Sequence, residues 1–245
     1  MRLVVSFTTI PSRIDRIRPM VDSILAQTVK PDRLVLWLPT RCGKENVEYV
    51  IPNWMRSLSF EIANCGCDYG PATKLIPSLL SEPSPETRIV TLDDDVAYEK
   101  HALEELSLSS IGYPDRALGF MGCTSGPTYV HAESVTGFVD VDVLGGYRGV
   151  IYRRALFDGS IFRDLATLME NGLFVCDDQL ISWNLLRRSI ARTVIKTAYP
   201  GEGGSLNFRF LGLGSGIYEG DKHLAIESIE RLKALYDENG WRRSA

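Results

Sequence analysis

The sequence predicts an α/β fold, in which a mixed but mostly parallel sheet is flanked by helices. In the first half of the chain, short apolar and β-branched runs alternate with segments of helical spacing. That alternation is typical of parallel strands joined by right-handed crossovers. The second half holds shorter strand-like pieces, which often pair antiparallel in a mixed sheet. With neither an internal repeat nor a clear linker, a single domain is expected.

The elements of the first half follow from local pattern. Apolar runs bounded by proline or polar residues predict strands, and these cover residues 3–6, 34–38, 60–62 and 88–92. Apolar residues at helical spacing predict a helix over 14–25, where Pro19 is tolerable only in the first turn. The other expected helical segments are a short turn at 46–50 and helices at 73–80 and 99–109.

The second half is more irregular. The expected strands cover residues 117–122, 138–143, 149–152 and 193–197, and the expected helices cover 162–170 and 179–188. Glycine is dense over 200–220, which predicts a flexible loop or lid. A last amphipathic helix is expected from Ala225 to Tyr236.

Composition limits the class of protein. With 245 residues, 44% apolar and 24% charged, the chain can build a sizeable core. Its net charge of −4 argues against general nucleic-acid binding. The sequence has no apolar stretch of membrane-spanning length, and its first strand leaves no room for a signal peptide. The five cysteines are scattered, as is usual in a reducing compartment, so a cytoplasmic location is expected.

Three consecutive aspartates, Asp93, Asp94 and Asp95, directly follow the predicted strand at 88–92. Ligands bind at the carboxyl edge of open α/β sheets. If the strand continued, Asp93 and Asp95 would share a face and repel each other by roughly 2–3 kcal/mol at an effective dielectric near 20. A divalent cation would turn that repulsion into affinity. The alternative is an acidic start of the next helix, for which one acid would suffice.

Two segments could hold a nucleotide. Ser6–Arg13 offers hydroxyl groups, a proline-fixed turn and an arginine after the first strand, although Ser12 could be only a helix cap. The segment 68–74 offers Asp68 for a base or ribose, a glycine for close approach and Lys74 for phosphate. A turn followed by a solvent-exposed lysine explains this second segment equally well.

Two further groups could act on an acceptor. Asp177 and Asp178 begin a predicted helix, where they could be caps or could accept a proton from a substrate hydroxyl. Gly145 and Gly146 allow a close backbone approach, and Tyr147 offers a stacking surface, although a tight turn needs no ligand.

A late histidine is a weaker candidate. His223 precedes the last predicted helix and follows the glycine-dense stretch. Closure of that stretch could bring it over an anion or a cation. A lone histidine is more often a surface or capping residue.

In this order, the segments 6–13, 68–74, 92–95, 145–149 and 177–178 resemble the GT-A glycosyltransferases. The similarity is greatest to small bacterial and viral enzymes of the family 2 type and spans about residues 3–235. It implies a nucleotide-binding half at about 1–98 and an acceptor-binding half at about 99–245.

The resemblance also implies roles for individual residues. In such enzymes the aspartates of the DxD motif bind Mn²⁺ or Mg²⁺, which bridges the diphosphate of a nucleotide sugar. By this analogy Asp93 faces the nucleotide ribose and Asp95 binds the metal, with Asp93 and His223 as further candidate metal ligands. The expected nucleotide-sugar-binding residues are Thr8, Pro11, Arg13, Asp68, Lys74, Asp93 and Asp94, and the expected acceptor- or sugar-binding residues are Gly145, Gly146 and Tyr147.

The resemblance implies inverting transfer of a hexosyl or deoxyhexosyl group from a UDP- or GDP-sugar to a hydroxyl acceptor such as a glycan. Asp178 matches the general base of inverting members. Asp177 stands where a glutamate is usual, which leaves open which of the two acts. The alternatives are a nucleotidyltransferase acting on sugar phosphates and a non-catalytic nucleotide- or carbohydrate-binding module. A phosphatase of the haloacid dehalogenase kind is disfavoured because Ala97 stands where its motif has Thr or Val.

Overall fold

The computed structural model of the chain describes residues 1–124, 129–172, 177–199, 208–213 and 234. Its strands are β1 (Leu3–Phe7), β2 (Arg33–Pro39), β3 (Glu61–Gly66), β4 (Arg88–Leu92), β5 (Val96–Tyr98), β6 (Ala117–Gly119), β7 (Met121–Cys123), β8 (Tyr129–His131), β9 (Val139–Asp140), β10 (Val143–Leu144), β11 (Val150–Arg153), β12 (Arg192–Val194) and β13 (Phe208–Phe210). Its α-helices are α1 (Arg18–Leu25), α2 (Asn53–Arg56), α3 (Ile76–Ser81), α4 (Ala102–Gly112), α5 (Ser160–Glu170) and α6 (Asp177–Arg187). None of the helices described is long and apolar enough to cross a membrane.

The main sheet confirms the predicted α/β architecture. Among the described residues it has eight strands in the order β3-β2-β1-β4-β11-β6-β12-β9. Strands β3, β2, β1 and β4 are mutually parallel, whereas β11 is antiparallel to both of its neighbours. Strand β12 is parallel to β6. The parallel strands therefore end at one edge, where their following loops meet.

Each face of this sheet carries its own apolar core, because successive strand residues point to opposite faces. Val5 belongs to the core that holds α1 and α4, whereas Val4 belongs to the core that holds α3, α5 and α6. The helices therefore cover both faces, as the apolar runs of buried strands predict. In α1, Pro19 lies in the first turn, where its missing N–H costs no hydrogen bond.

Three local predictions are wrong. The single strand expected at 138–143 is two short strands, β9 in the main sheet and β10 in the small sheet. The helical turn expected at 46–50 is a tight turn, in which Cys42 and Val47 form a β-bridge and Asn46 adopts a φ of 54°. Backbone pairing across this turn replaces helical hydrogen bonds. The single strand expected at 117–122 is interrupted at Phe120, so that β6 joins the main sheet and β7 joins a small sheet with β8 and β10.

The described part of the glycine-dense stretch, residues 208–213, contains strand β13. Strand β13 pairs antiparallel with β5, which directly follows the aspartate triplet. Residues 200–207 and 214–220 of the expected loop, and the helix expected from Ala225, lie outside the described residues. The division into nucleotide-binding and acceptor-binding halves stays a prediction.

Candidate functional site

The site is built where β1 and β4 end side by side. These strands are parallel neighbours, with Phe7 opposite Leu92 at their last paired position. The segment after Phe7 and the aspartates after Leu92 are therefore adjacent. The triplet itself lies in the turn between β4 and β5, outside either strand. The strand alternation expected for Asp93 and Asp95 consequently does not apply to it.

Asp94 is the buried member of the triplet. One of its oxygens accepts a hydrogen bond from the Thr9 hydroxyl at 2.6 Å, and the other forms an ion pair with Arg13 Nη1 at 2.8 Å. Both side chains of the pair are 9% exposed. Burial raises the pKa of Asp94 despite the opposing effect of Arg13. This contact fastens the loop after β1 to the triplet.

Asp95 is more accessible than Asp94, and its negative charge is only partly neutralised by Arg13. Its carboxylate lies 3.3 Å from Arg13 Nη1, and its side chain is 28% exposed. Burial, followed by the charges of Asp93 and Asp94, raises the pKa of Asp95 to about 6. The triplet thus holds more negative charge than Arg13 neutralises.

Lys74 joins the triplet to the start of α6. Its side chain is 5% exposed, and Nζ lies 2.7 Å from Asp93 Oδ1 and 2.9 Å from Asp177 Oδ2. Burial alone would lower the pKa of this lysine, but Asp177, Asp93 and Asp178 outweigh it and raise the pKa well above its usual value. The acids after β4 and those at the start of α6 therefore belong to one charged cluster.

Asp178 is held against the glycine pair. Both of its oxygens accept from the Gly146 N–H, at 3.0 and 3.1 Å. A Cβ on Gly146 would lie 2.7 Å from Asp178 Oδ1 and 2.9 Å from Lys74 Nζ, so only glycine leaves room for this approach. Burial, followed by the charge of Asp177, raises the pKa of Asp178 to about 7. A carboxylate with this pKa is suited to accept a proton near neutral pH.

The neighbouring glycine also has a packing role. A Cβ on Gly145 would overlap the sulfur of Met121. Tyr147 stacks on Phe210 of β13 with a centroid distance of 5.7 Å. The close approach predicted for the glycine pair is thus made to the protein's own side chains, next to an aromatic pair.

The carboxylates at this edge of the sheet are the candidate ligands for a divalent cation. Within the described part of the chain, no three His, Cys, Asp or Glu side chains are already grouped as metal ligands. The chemistry of the donors nevertheless fits, because hard cations prefer carboxylate oxygens and Asp95 carries uncompensated charge. His223 lies outside the described residues.

The remaining predicted nucleotide-binding residues line the other side of this edge. The Thr8 hydroxyl donates to the Trp37 carbonyl at 2.8 Å, and Pro11 lies partly exposed in the turn that follows. Asp68 accepts from the N–H groups of Gly43 and Gly70, at 2.6 and 2.8 Å. The structure thus brings these residues to the same sheet edge as the triplet.

A loop that sequence reasoning missed closes this side. Residues 41–47 are fastened to the loop after β1, because Glu45 accepts from both the N–H and the hydroxyl of Ser12. Tyr49 donates to the Thr9 carbonyl at 2.8 Å. No sequence signal predicts this contact, since the loop is polar and Glu45 lies 33 residues from Ser12.

Tyr98 is a second part of the site that sequence reasoning did not predict. Its hydroxyl accepts from the Asp93 N–H at 2.9 Å and donates to the Tyr147 carbonyl at 3.0 Å. Leu211, just after β13, donates its N–H to the Asp95 carbonyl at 2.8 Å. The backbone of the triplet is therefore held from both sides. The sequence signal that could have suggested the Tyr98 contact is its position five residues after Asp93.

Comparisons with known proteins give similarities of fold only. No protein-family model matches this chain, and no curated protein matches its sequence. Among solved structures, S. aureus TarS 1–349 in complex with UDP matches at 16% identity over 78% of this chain and 57% of that chain, with a TM-score of 0.49. The complex of the same fragment with UDP-GlcNAc matches at 16% identity over 78% of this chain and 56% of that chain, with a TM-score of 0.48.

An enzyme of another kind is similar to a comparable degree. Francisella tularensis 2-C-methyl-D-erythritol 4-phosphate cytidylyltransferase (IspD) matches at 10% identity over 78% of this chain and 89% of that chain, with a TM-score of 0.44. This chain spans a little over half the length of TarS 1–349. At these identities and TM-scores the similarities carry no conclusion about activity, which is argued from the side chains alone.

Proposed function

We propose that this protein is a glycosyltransferase that moves a hexosyl or deoxyhexosyl group from a nucleoside-diphosphate sugar, with UDP or GDP as the nucleotide, to a hydroxyl of a glycan or other acceptor. One observation carries the proposal. Asp178, whose pKa is raised to about 7, directly follows Asp177, and Asp177 shares the Lys74 ammonium group with Asp93 of the acidic turn at the carboxyl edge of the sheet. A proton acceptor thus lies beside the place where an α/β sheet binds a nucleotide.

On the donor side, Asp93 and Asp95 would hold Mn²⁺ or Mg²⁺. When bound, such an ion neutralises the negative charge that develops on a departing diphosphate. Arg13 is close to both Asp94 and Asp95 and keeps the turn in place. Thr8, Pro11 and Asp68 would line the nucleotide, and the loop 41–47 would form the wall behind it.

On the acceptor side, Asp178 is the preferred general base. Asp177 is ion-paired with Lys74. Asp178 is held by Gly146 and has the higher proton affinity that base catalysis near neutral pH requires. In this arrangement Asp178 takes the acceptor proton as the hydroxyl attacks the anomeric carbon opposite the leaving diphosphate, which gives inversion.

The product of the reaction tests the proposal. The purified chain is incubated with a panel of nucleotide sugars, Mn²⁺ and mixed saccharide acceptors, and the released phosphates are identified. Release of a nucleoside diphosphate together with a new glycoside supports the proposal. Formation of pyrophosphate from a nucleoside triphosphate and a sugar phosphate would instead identify a nucleotidyltransferase, and binding without turnover would identify a binding module.

Variants assign the activity to the site. Asp95→Ala and Asp178→Asn are each expected to abolish most turnover, whereas Asp115→Asn, an exposed aspartate in a loop before β6, serves as the matched control. Full activity in both site variants would contradict the proposed mechanism.

A further inference from the structure

Lys74 is shared between two acidic groups that the proposed function assigns to different substrates. Its ammonium group forms ion pairs with Asp93, on the donor side, and with Asp177, at the start of α6. The two N–O distances, 2.7 and 2.9 Å, are nearly equal. No other Lys or Arg of the described residues is paired with either of these aspartates.

The backbone of Lys74 is held in place by hydrogen bonds. The Ser6 hydroxyl of β1 donates to the Lys74 carbonyl at 2.5 Å, and Ser78 of α3 donates to Ser6 at 2.8 Å. The Lys74 backbone lies in a 3₁₀ turn directly before α3. Because the backbone is held while the side chain is long, the ammonium group can shift between its two partners without moving the main chain.

The surroundings limit where the ammonium group can go. Gly146 closes the third side, since a Cβ there would lie 2.9 Å from Nζ. The side chain is 5% exposed, so water screens its charge weakly. A divalent cation on Asp93 would repel a lysine that lies in contact with the same carboxylate.

We propose that Lys74 competes with the divalent cation for Asp93 and that cation binding moves the ammonium group onto the Asp177 side. The inference rests on the proposed function, because it takes Asp93 as a cation ligand. The consequence is a coupling between the two substrates. When the cation binds on the donor side, the positive charge of Lys74 moves toward Asp177 and Asp178, where the acceptor is proposed to bind. Lys74 thus acts as a positioning residue, through which cation binding on the donor side changes the charge on the acceptor side.

The test measures Mn²⁺ binding to the 245-residue chain by isothermal titration calorimetry, without nucleotide or acceptor. Lys74→Met removes the competitor and is expected to tighten Mn²⁺ binding by at least about tenfold, because a unit charge a few ångströms from a divalent ion acts strongly in a buried site. Lys74→Arg keeps the charge and is expected to stay near the wild type. Lys30→Met, at an exposed lysine, is the matched control.

A second pair of variants keeps the inference testable if Lys74→Met does not fold. Asp177→Asn and Asp178→Asn each remove one negative charge at adjacent positions, but only Asp177 is ion-paired with Lys74. Asp177→Asn leaves the lysine wholly on Asp93 and is expected to weaken Mn²⁺ binding at least about threefold more than Asp178→Asn. Equal effects of the two variants would overturn the inference.

The outcomes separate this inference from the proposed function. If the wild type binds Mn²⁺ and Lys74→Met binds it equally or more weakly, the competition is refuted and the glycosyltransferase proposal stands. If neither the wild type nor any variant binds Mn²⁺, the cation site of the proposed function fails and the inference fails with it.

Discussion

The pKa of Asp178 gives the most demanding prediction, because it fixes how the rate depends on pH. A general base works only in its ionised form, so kcat is expected to rise with pH through the pKa and to level off above it. With a pKa of about 7, kcat at pH 5 should be about 100-fold below its plateau. An unshifted aspartate, with a pKa near 3.8, would give a nearly flat profile over the same range.

The perturbation that tests this assignment is Asp178→Asn. The asparagine keeps the shape of the side chain, and its oxygen can still accept from the Gly146 N–H, so the start of α6 should remain folded. Loss of the base is expected to lower kcat by about 10²–10⁴-fold and to remove the rise of kcat around pH 7. Circular dichroism confirms that the variant is folded.

The assay follows nucleoside diphosphate release between about pH 5 and pH 8 with saturating Mn²⁺ and donor. Saturation matters because burial and the neighbouring aspartates also raise the pKa of Asp95, to about 6, which would weaken cation binding at low pH. A wild-type kcat that is flat across this range would refute the reasoning. The same holds if Asp178→Asn keeps the wild-type pH dependence.

Three further predictions concern the frame of the site. Arg13→Met leaves Asp94 buried without its positively charged partner and should lower the free energy of unfolding by about 3–5 kcal/mol, as measured by urea denaturation. A loss below about 1 kcal/mol would contradict a stabilising role of the buried ion pair. Gly146→Ala should displace Asp178 and lower kcat at least about tenfold with little change in melting temperature, whereas unchanged kinetics would show that the close approach is unimportant. Glu45→Gln should weaken the attachment of the loop 41–47 and raise the KM for the donor about three- to tenfold at unchanged kcat, and an effect on kcat alone would contradict a donor-side role.

Local pattern predicted much of the fold correctly. Strands β1, β2 and β4 are apolar runs that are buried on both faces. Such runs can be recognised as strands without knowing which strands they pair with. Pro19 marked the first turn of α1, and the aspartate pair marked the start of α6. The expected position of the triplet after β4 is also correct.

Local pattern failed where pairing partners decide the structure. Phe120 interrupts the stretch 117–122 because residues on either side pair with strands of different sheets. The turn at 46–50 is set by a bridge between Cys42 and Val47. Strand partners elsewhere in the chain therefore override local preference at 117–122, whereas at 46–50 a bridge to a residue just before the segment replaces the expected helical turn.

The sequence by itself determined which chemical groups the protein places at the carboxyl edge of its sheet: carboxylates after β4 and at α6, an arginine after β1 and a lysine before α3. Only the tertiary structure decided which charges meet. Arg13 and Asp94 are 81 residues apart in the chain, and Lys74 contacts acids from both halves. The physical reason is that strand register and burial, which depend on the whole sheet, set the distances and the screening between these groups and therefore their pKa values.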